Sequence, residues 1–189
     1  MPLIFLSKSH QESYSYLTLL LVSPMTVREI LKLGNPYLYT VSEEIEASEL
    51  ENLQGVIQDL HDTMMKFRKE YGVGRAIAAP QIGVMKRIVY MHIDSPVVIL
   101  NPVLKNKSEE MIELWDDCMS FPDLLVRVRR HKRCTIEYRD NNWSLQSLDL
   151  EDDLSELLQH EYDHLDGILA VMRAIDGKSF ASKNQKHLL

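Results

Sequence analysis

Apolar positions recur along this chain with two different periods, and the switch between them divides it. Leu53, Ile57, Leu60, Met64 and Phe67 fall three or four apart, which is one face of a helix. Ser48 with Glu51 three residues on reads as a capping box that opens this helix, and Gly72 closes it. A shorter helix is predicted over 27–33, with Thr26 as N-cap and Gly34 as its end. Asn35-Pro36 then forces a turn. Beyond Gly72 the character changes to small residues, Gly72-Val73-Gly74 running to Ala78-Ala79-Pro80-Gln81. Strand-like alternation follows over 87–92, 97–104, 110–115, 124–130, 133–139 and 143–150. Asp140-Asn141-Asn142 marks a hairpin turn between the last two. The helical period returns over 152–165, with Leu154, Leu157, Leu158 and Leu165 on the buried side. Acidic residues crowd its start, which suits the helix dipole, and Gly167 ends it. Helices flanking a strand-rich middle indicate an α+β fold with mixed or antiparallel sheets.

Composition narrows the class. A chain of 189 residues fits one domain with a real core. Its net charge is −7, from 21 Lys and Arg against 28 Asp and Glu, which argues against broad nucleic-acid binding. The basic run from Arg127 to Arg133 is broken by Val128 in strand fashion, so it reads as an exposed strand face. Two cysteines, Cys118 and Cys134, make no disulfide framework and fit a reducing cytoplasm. Cys134 alternates with Ile136 and Tyr138 and reads as core. No apolar stretch approaches a membrane span. Leu17 to Val22 is a short apolar run without the charge and small residues of a signal peptide. Residues 1–24 are therefore expected to be a poorly specified extension, 25–176 a single catalytic domain, and 177–189 a loose tail.

The densest chemistry lies in His160-Glu161-Tyr162-Asp163-His164. Residues four apart stack on one helix face, so two imidazoles can address one divalent metal. Glu161 sits one step round, placed to act as a general base. A catalytic metal needs a third protein ligand. No Glu follows Glu161, Ala170 stands where a longer zinc-peptidase pattern needs its third His, and His187 falls in the expected tail. The third ligand must then lie upstream. Cys118, in a polar break between predicted strands, is the best candidate, although alone it would read as a half-buried free thiol.

Three segments in order resemble the signatures of the peptide deformylase family, G-Φ-G-Φ-A-A-P-Q, E-G-C-Φ-S and H-E-x-D-H, where Φ is apolar. Here they stand as Gly74 to Gln81, Asp116 to Ser120, and His160 to His164. Arg28-Glu29-Ile30-Leu31, Asn101-Pro102, Gln159 and Leu165-Asp166-Gly167 also look like the family, so the resemblance runs over about residues 25–173. It implies a deformylase-like fold, with sheets around a metal-binding helix, and removal of the formyl group from formylmethionine of nascent peptides, possible at the ribosome, with release of formate. It implies a metal held by Cys118, His160 and His164, commonly Fe2+ and replaceable by Zn2+, Ni2+ or Co2+. Glu161 would be the base, and Gln81 with the backbone N–H of Met119 would donate to the oxyanion.

Departures from the signatures fall on the substrate side, around Gly74. Arg75 replaces an apolar residue, Ala76 a Gly, and Asp117 the Gly before the ligand Cys; Glu156 stands where an apolar pocket residue is expected. Arg75 and Glu156 can pair, or both can face solvent. Asp117 adds negative charge beside a thiolate and would make bound water less acidic. The expectation is an intact metal site with low or shifted activity on formyl-Met peptides. Two other readings are a metal hydrolase of another N-formyl or N-acyl amine, and a weakly active, metal-stabilised binding protein. Asp117 or Tyr162 filling the pocket would mark the last.

Overall fold

Strand alternation in the middle of the chain builds two antiparallel sheets, seen here in a computed structural model that describes residues 26–189. The expected extension 1–24, with its apolar run, lies outside the described residues. The strands are β1 (Ala76–Ala78), β2 (Ile88–His92), β3 (Pro96–Lys105), β4 (Met111–Asp117), β5 (Leu124–His131), β6 (Arg133–Arg139), β7 (Leu145–Glu151) and β8 (Phe180–Ser182). The helices are α1 (Leu53–Tyr71) and α2 (Asp152–Leu165). One sheet has the order β1-β2-β3-β6-β7, the other β4-β5-β8.

β1 is buried throughout and β2 from Ile88 to Met91, because alternate residues of each pack against different helices. Ile77, Ile88 and Tyr90 join Leu100 of β3 on one face, against Leu60, Met64 and Phe67 of α1. Ala76, Ala78, Val89 and Met91 join Ile99 on the other, against Leu157, Leu158 and Leu165 of α2. The helices therefore cover opposite faces of the larger sheet. A third cluster, with Phe121, Val126, Val128 and Leu169, packs the smaller sheet beside α2. Nearly every residue of α2 from Ser155 to Leu165 is buried, polar ones included.

Several expectations are corrected. Residues 26–32 form no helix or strand, and Leu33 begins a turn. Their N–H groups go to distant partners: Thr26 to Asp62, Arg28 to Thr63, Leu31 to the Gln81 carbonyl and Leu33 to that of Ser120. Tertiary acceptors replace the i−4 carbonyls a helix would offer. The box at Ser48 and Glu51 is displaced two residues upstream, where the Glu49 carboxylate accepts the Glu46 N–H at 2.8 Å. A 3-10 turn, Ala47–Asn52, intervenes before α1 begins at Leu53. The segment past Asp176 is not loose, because β8 pairs with β5 and a 3-10 turn, Lys183–Leu188, follows it.

Gly167 just beyond α2 has φ +70°, and an added Cβ would lie 2.6 Å from the Tyr39 carbonyl. Gly167→Ala is expected to lower the unfolding free energy by about 2–4 kcal/mol, combining a left-handed backbone with a backbone clash. Denaturant unfolding measures this, and a loss below about 0.5 kcal/mol would contradict it.

Candidate metal centre and its cleft

Helix α2 presents His160 and His164 one turn apart, as the i, i+4 spacing requires. Their Nε2 atoms are 3.1 Å apart and their rings meet edge-on. Cys118 follows β4, and its Sγ lies 3.3 Å from His164 Nε2. All three side chains are buried. A tetrahedral ion with bonds of about 2.0–2.1 Å to nitrogen and about 2.3 Å to sulfur would hold such atoms roughly 3.3–3.6 Å apart. Proton inventory supports the fit. His160 Nδ1 lies 2.9 Å from the Asp116 carboxylate; with Nδ1 donating there, a bound metal would take the Nε2 lone pair, while without one the effect of burial is outweighed by Asp116 and Cys118, which raise the ring's pKa and favour its protonated form. Either a proton or a metal ion can hold these atoms at such distances, and a metal satisfies all three at once. The donor set therefore suits a divalent metal.

Strand period sets what surrounds these atoms. Asp116 and Cys118 point inward, and Asp117 between them points out. Asp117 lies at the cleft rim, where Lys183 Nζ pairs with it at 3.0 Å. It is still within β4 with no positive φ, so the missing Gly costs no backbone strain. Its charge is paired with that of Lys183, a cation that the expected effect of Asp117 on bound water has to include.

The sequence pattern does not mark Asp116 and Arg130 as site residues. Arg130 on β5 bonds Asp116 at 3.2 Å and also bonds Asp163 on α2. Arg173 closes the network from the surface, 2.8 Å from Asp163. Burial alone would raise the Asp116 pKa, but His160 and Arg130 outweigh it and hold the carboxyl below its usual range. The reading of the basic run as an exposed face fails at Arg130, which is 4% exposed. Val126, Val128 and Arg130 share one phase of the strand, and that phase was the available signal.

A cleft of about 330 Å³ opens onto this centre. Glu161 lines it and is buried, with Oε2 lacking any hydrogen-bond partner among the described residues. Burial pushes its pKa up to about 7. Gln81 is held by its 3-10 turn: its Oε1 accepts the Ala78 N–H at 2.9 Å. Its amide nitrogen is thereby turned toward Ser120 Oγ at 3.3 Å and Cys118 Sγ at 3.6 Å. Met119 lines the same cleft. Gly74 has φ +129° and sits so near Met119 Cε that a Cβ would be 3.0 Å from it.

Ala76 lies in β1, where a Gly is not required. Arg75 bonds Asp153 and reaches Glu156 at 3.7 Å, so of the two alternatives for Arg75 and Glu156 the pair forms. Glu156 is 7% exposed, and burial followed by the Asp116 charge pushes its pKa up to about 7. Tyr162 is turned away from the cleft, with Arg87 over its ring at 5.3 Å. Neither it nor Asp117 fills the opening. Cys134 is core, 3.4 Å from Ser155 Oγ.

The polypeptide deformylase family model matches residues 27–180. A peptide deformylase of Leptospira biflexa is 36% identical over 170 residues, covering 82% of this chain and 92% of that one. One from a Parafrankia species is 40% identical over 151 residues, covering 79% of each. The crystal structure of a peptide deformylase from Legionella pneumophila superposes with a TM-score of 0.71 at 32% identity, over 78% of this chain and 85% of that one. With the three ordered signatures, the α+β architecture and the cysteine–dihistidine centre in agreement, the chain belongs to the polypeptide deformylase family.

Proposed function

We propose that this chain is a metal-dependent hydrolase that removes the formyl group from the N-terminal formylmethionine of nascent peptides. One observation carries the reading: three converging metal donors and an unpartnered buried carboxylate face a single open cleft. Cys118, His160 and His164 would hold the ion, with α2 as the central metal-binding helix. A bound divalent ion supplies Lewis acidity to a carbonyl and to water. Glu161, with Oε2 free and a pKa near neutrality, takes the proton of the attacking water and delivers it to the departing amide nitrogen. The formyl C–N bond breaks, giving formate and a free amine. Gln81 Nε2 and the Met119 N–H donate to the oxygen that gains charge. Asp116 fixes the His160 tautomer and ring direction. Fe2+ is the proposed cellular ion, although Cys with two His also accepts Zn2+, Ni2+ or Co2+. The proposed setting is the cytoplasm during protein biosynthesis, with the ribosome as the place of substrate delivery. No helix among the described residues is long and apolar enough to cross a membrane.

Arg75 and Glu156 favour a shifted substrate preference as a second reading, because they line the cleft with charge where an apolar wall would suit methionine. Formate release from formyl-Met-Ala-Ser, compared with acetyl-Met-Ala-Ser, tests the main reading. Formate from the first without acetate from the second is expected. Equal hydrolysis of both would mark a general N-acyl hydrolase, and hydrolysis of neither would support the binding protein. The paired wall is expected to hold kcat/KM on formyl-Met-Ala-Ser roughly tenfold below that of the Arg75→Leu, Glu156→Leu double variant. An unchanged or lower value in the variant would contradict the second reading.

A further inference from the structure

Two side chains lining the cleft come from beyond residue 180, where the family match ends. Both are lysines, Lys183 and Lys186, in the 3-10 turn Lys183–Leu188. Residues three apart eclipse in such a turn, so the two side chains share the face toward the cleft. The turn is moored at its start. Ser182 pairs with Leu124 across β8 and β5, and the Lys183 N–H donates to the Asp123 carbonyl at 2.8 Å.

Charges at the mouth are matched with one exception. Lys183 pairs with Asp117, and Arg75 with Asp153 and Glu156. The Lys186 ammonium has no hydrogen-bond or ion-pair partner among the described residues. A free cation at the rim of a cleft with low-dielectric walls attracts an anion more strongly than one on open surface. The formyl end of a peptide has its place inside, at Glu161, so the group that reaches the rim lies further along the peptide.

We infer that Lys186 is a specificity-determining residue that binds a carboxylate of the formyl peptide beyond its first residue. This rests on the deformylase reading. The carboxylate has two sources, an acidic side chain at the second or third position or the C-terminus of a short peptide. Lys183 makes such binding feasible, because it cancels Asp117, which would otherwise repel the same group.

Formate release by the metal-loaded protein, with kcat and KM measured separately, tests this on three peptides. They are formyl-Met-Ala-Ser with a free carboxylate, its C-terminal amide, and formyl-Met-Ala-Asp amide. At low salt the wild type is expected to favour at least one anionic peptide over the Ser amide by roughly two- to fivefold in kcat/KM, through KM. Preference for the first alone assigns the C-terminus, and preference for the Asp amide assigns an acidic side chain. Lys186→Met should bring the ratio to about one and Lys186→Glu should invert it. About 1 M salt should abolish it in the wild type. Formate release with equal kcat/KM for all three, or a preference unchanged in Lys186→Met, overturns this proposal alone. No formate from any peptide overturns the deformylase reading and this proposal with it.

Discussion

Glu161→Gln is expected to lower kcat for formate release by roughly a thousandfold while the protein still binds about one metal per chain, since a positioned general base contributes on the order of 10²–10⁴. The substitution keeps the side-chain shape and replaces a proton-accepting carboxylate with a neutral amide. Cys118, His160 and His164 make their hydrogen bonds to one another and to Asp116 rather than to Glu161, so the donor set should persist. Folding should be little changed, because the neutral amide avoids the burial of charge that raises the Glu161 pKa. Metal analysis and formate release on the same sample read both halves. Turnover within about tenfold of wild type would remove Glu161 from the mechanism, and loss of metal would make it a structural support instead.

Arg130→Met is expected to cost about 3–5 kcal/mol of stability, the largest effect foreseen outside the donor set. Arg130 is the buried cation between two buried carboxylates, Asp116 and Asp163. Removing one member of such a network leaves charge uncompensated away from water. Asp163 retains Arg173, but that side chain is 45% exposed, so screening by solvent weakens its contribution. Arg173→Ala should therefore cost less than about 1 kcal/mol. Denaturant unfolding of both variants without metal makes the comparison, and similar losses would contradict the assigned role of Arg130. Because Asp116 also orients His160, Arg130→Met should weaken metal binding as well.

These two residues also mark where the sequence is legible and where it is not. The acidic start, the leucine spacing and Gly167 together indicate a helix over 152–165, the bounds that α2 has. Strand β6 likewise runs Arg133–Arg139 as its alternation indicates. Residues 26–33 misled, since their bonding partners lie thirty or more residues away and leave no local trace. Arg130 was hidden within a basic run, although its phase with Val126 and Val128 pointed inward. Asp117 looked like a charge set against the thiolate. Its partner Lys183 comes from a segment that lacks apolar periodicity and that only the pairing of β8 brings near. Local pattern thus conveyed elements and donors, whereas compensation between distant charges required the fold.

The most direct measurement is formate release from formyl-Met-Ala-Ser as Fe2+ or Ni2+ is titrated into chelator-stripped protein under anaerobic conditions. The account predicts negligible turnover without metal, a linear rise with metal bound, and a plateau at about one ion per chain, absent in Cys118→Ala. Full turnover by the stripped protein, or one bound ion per chain with no formate, would contradict it.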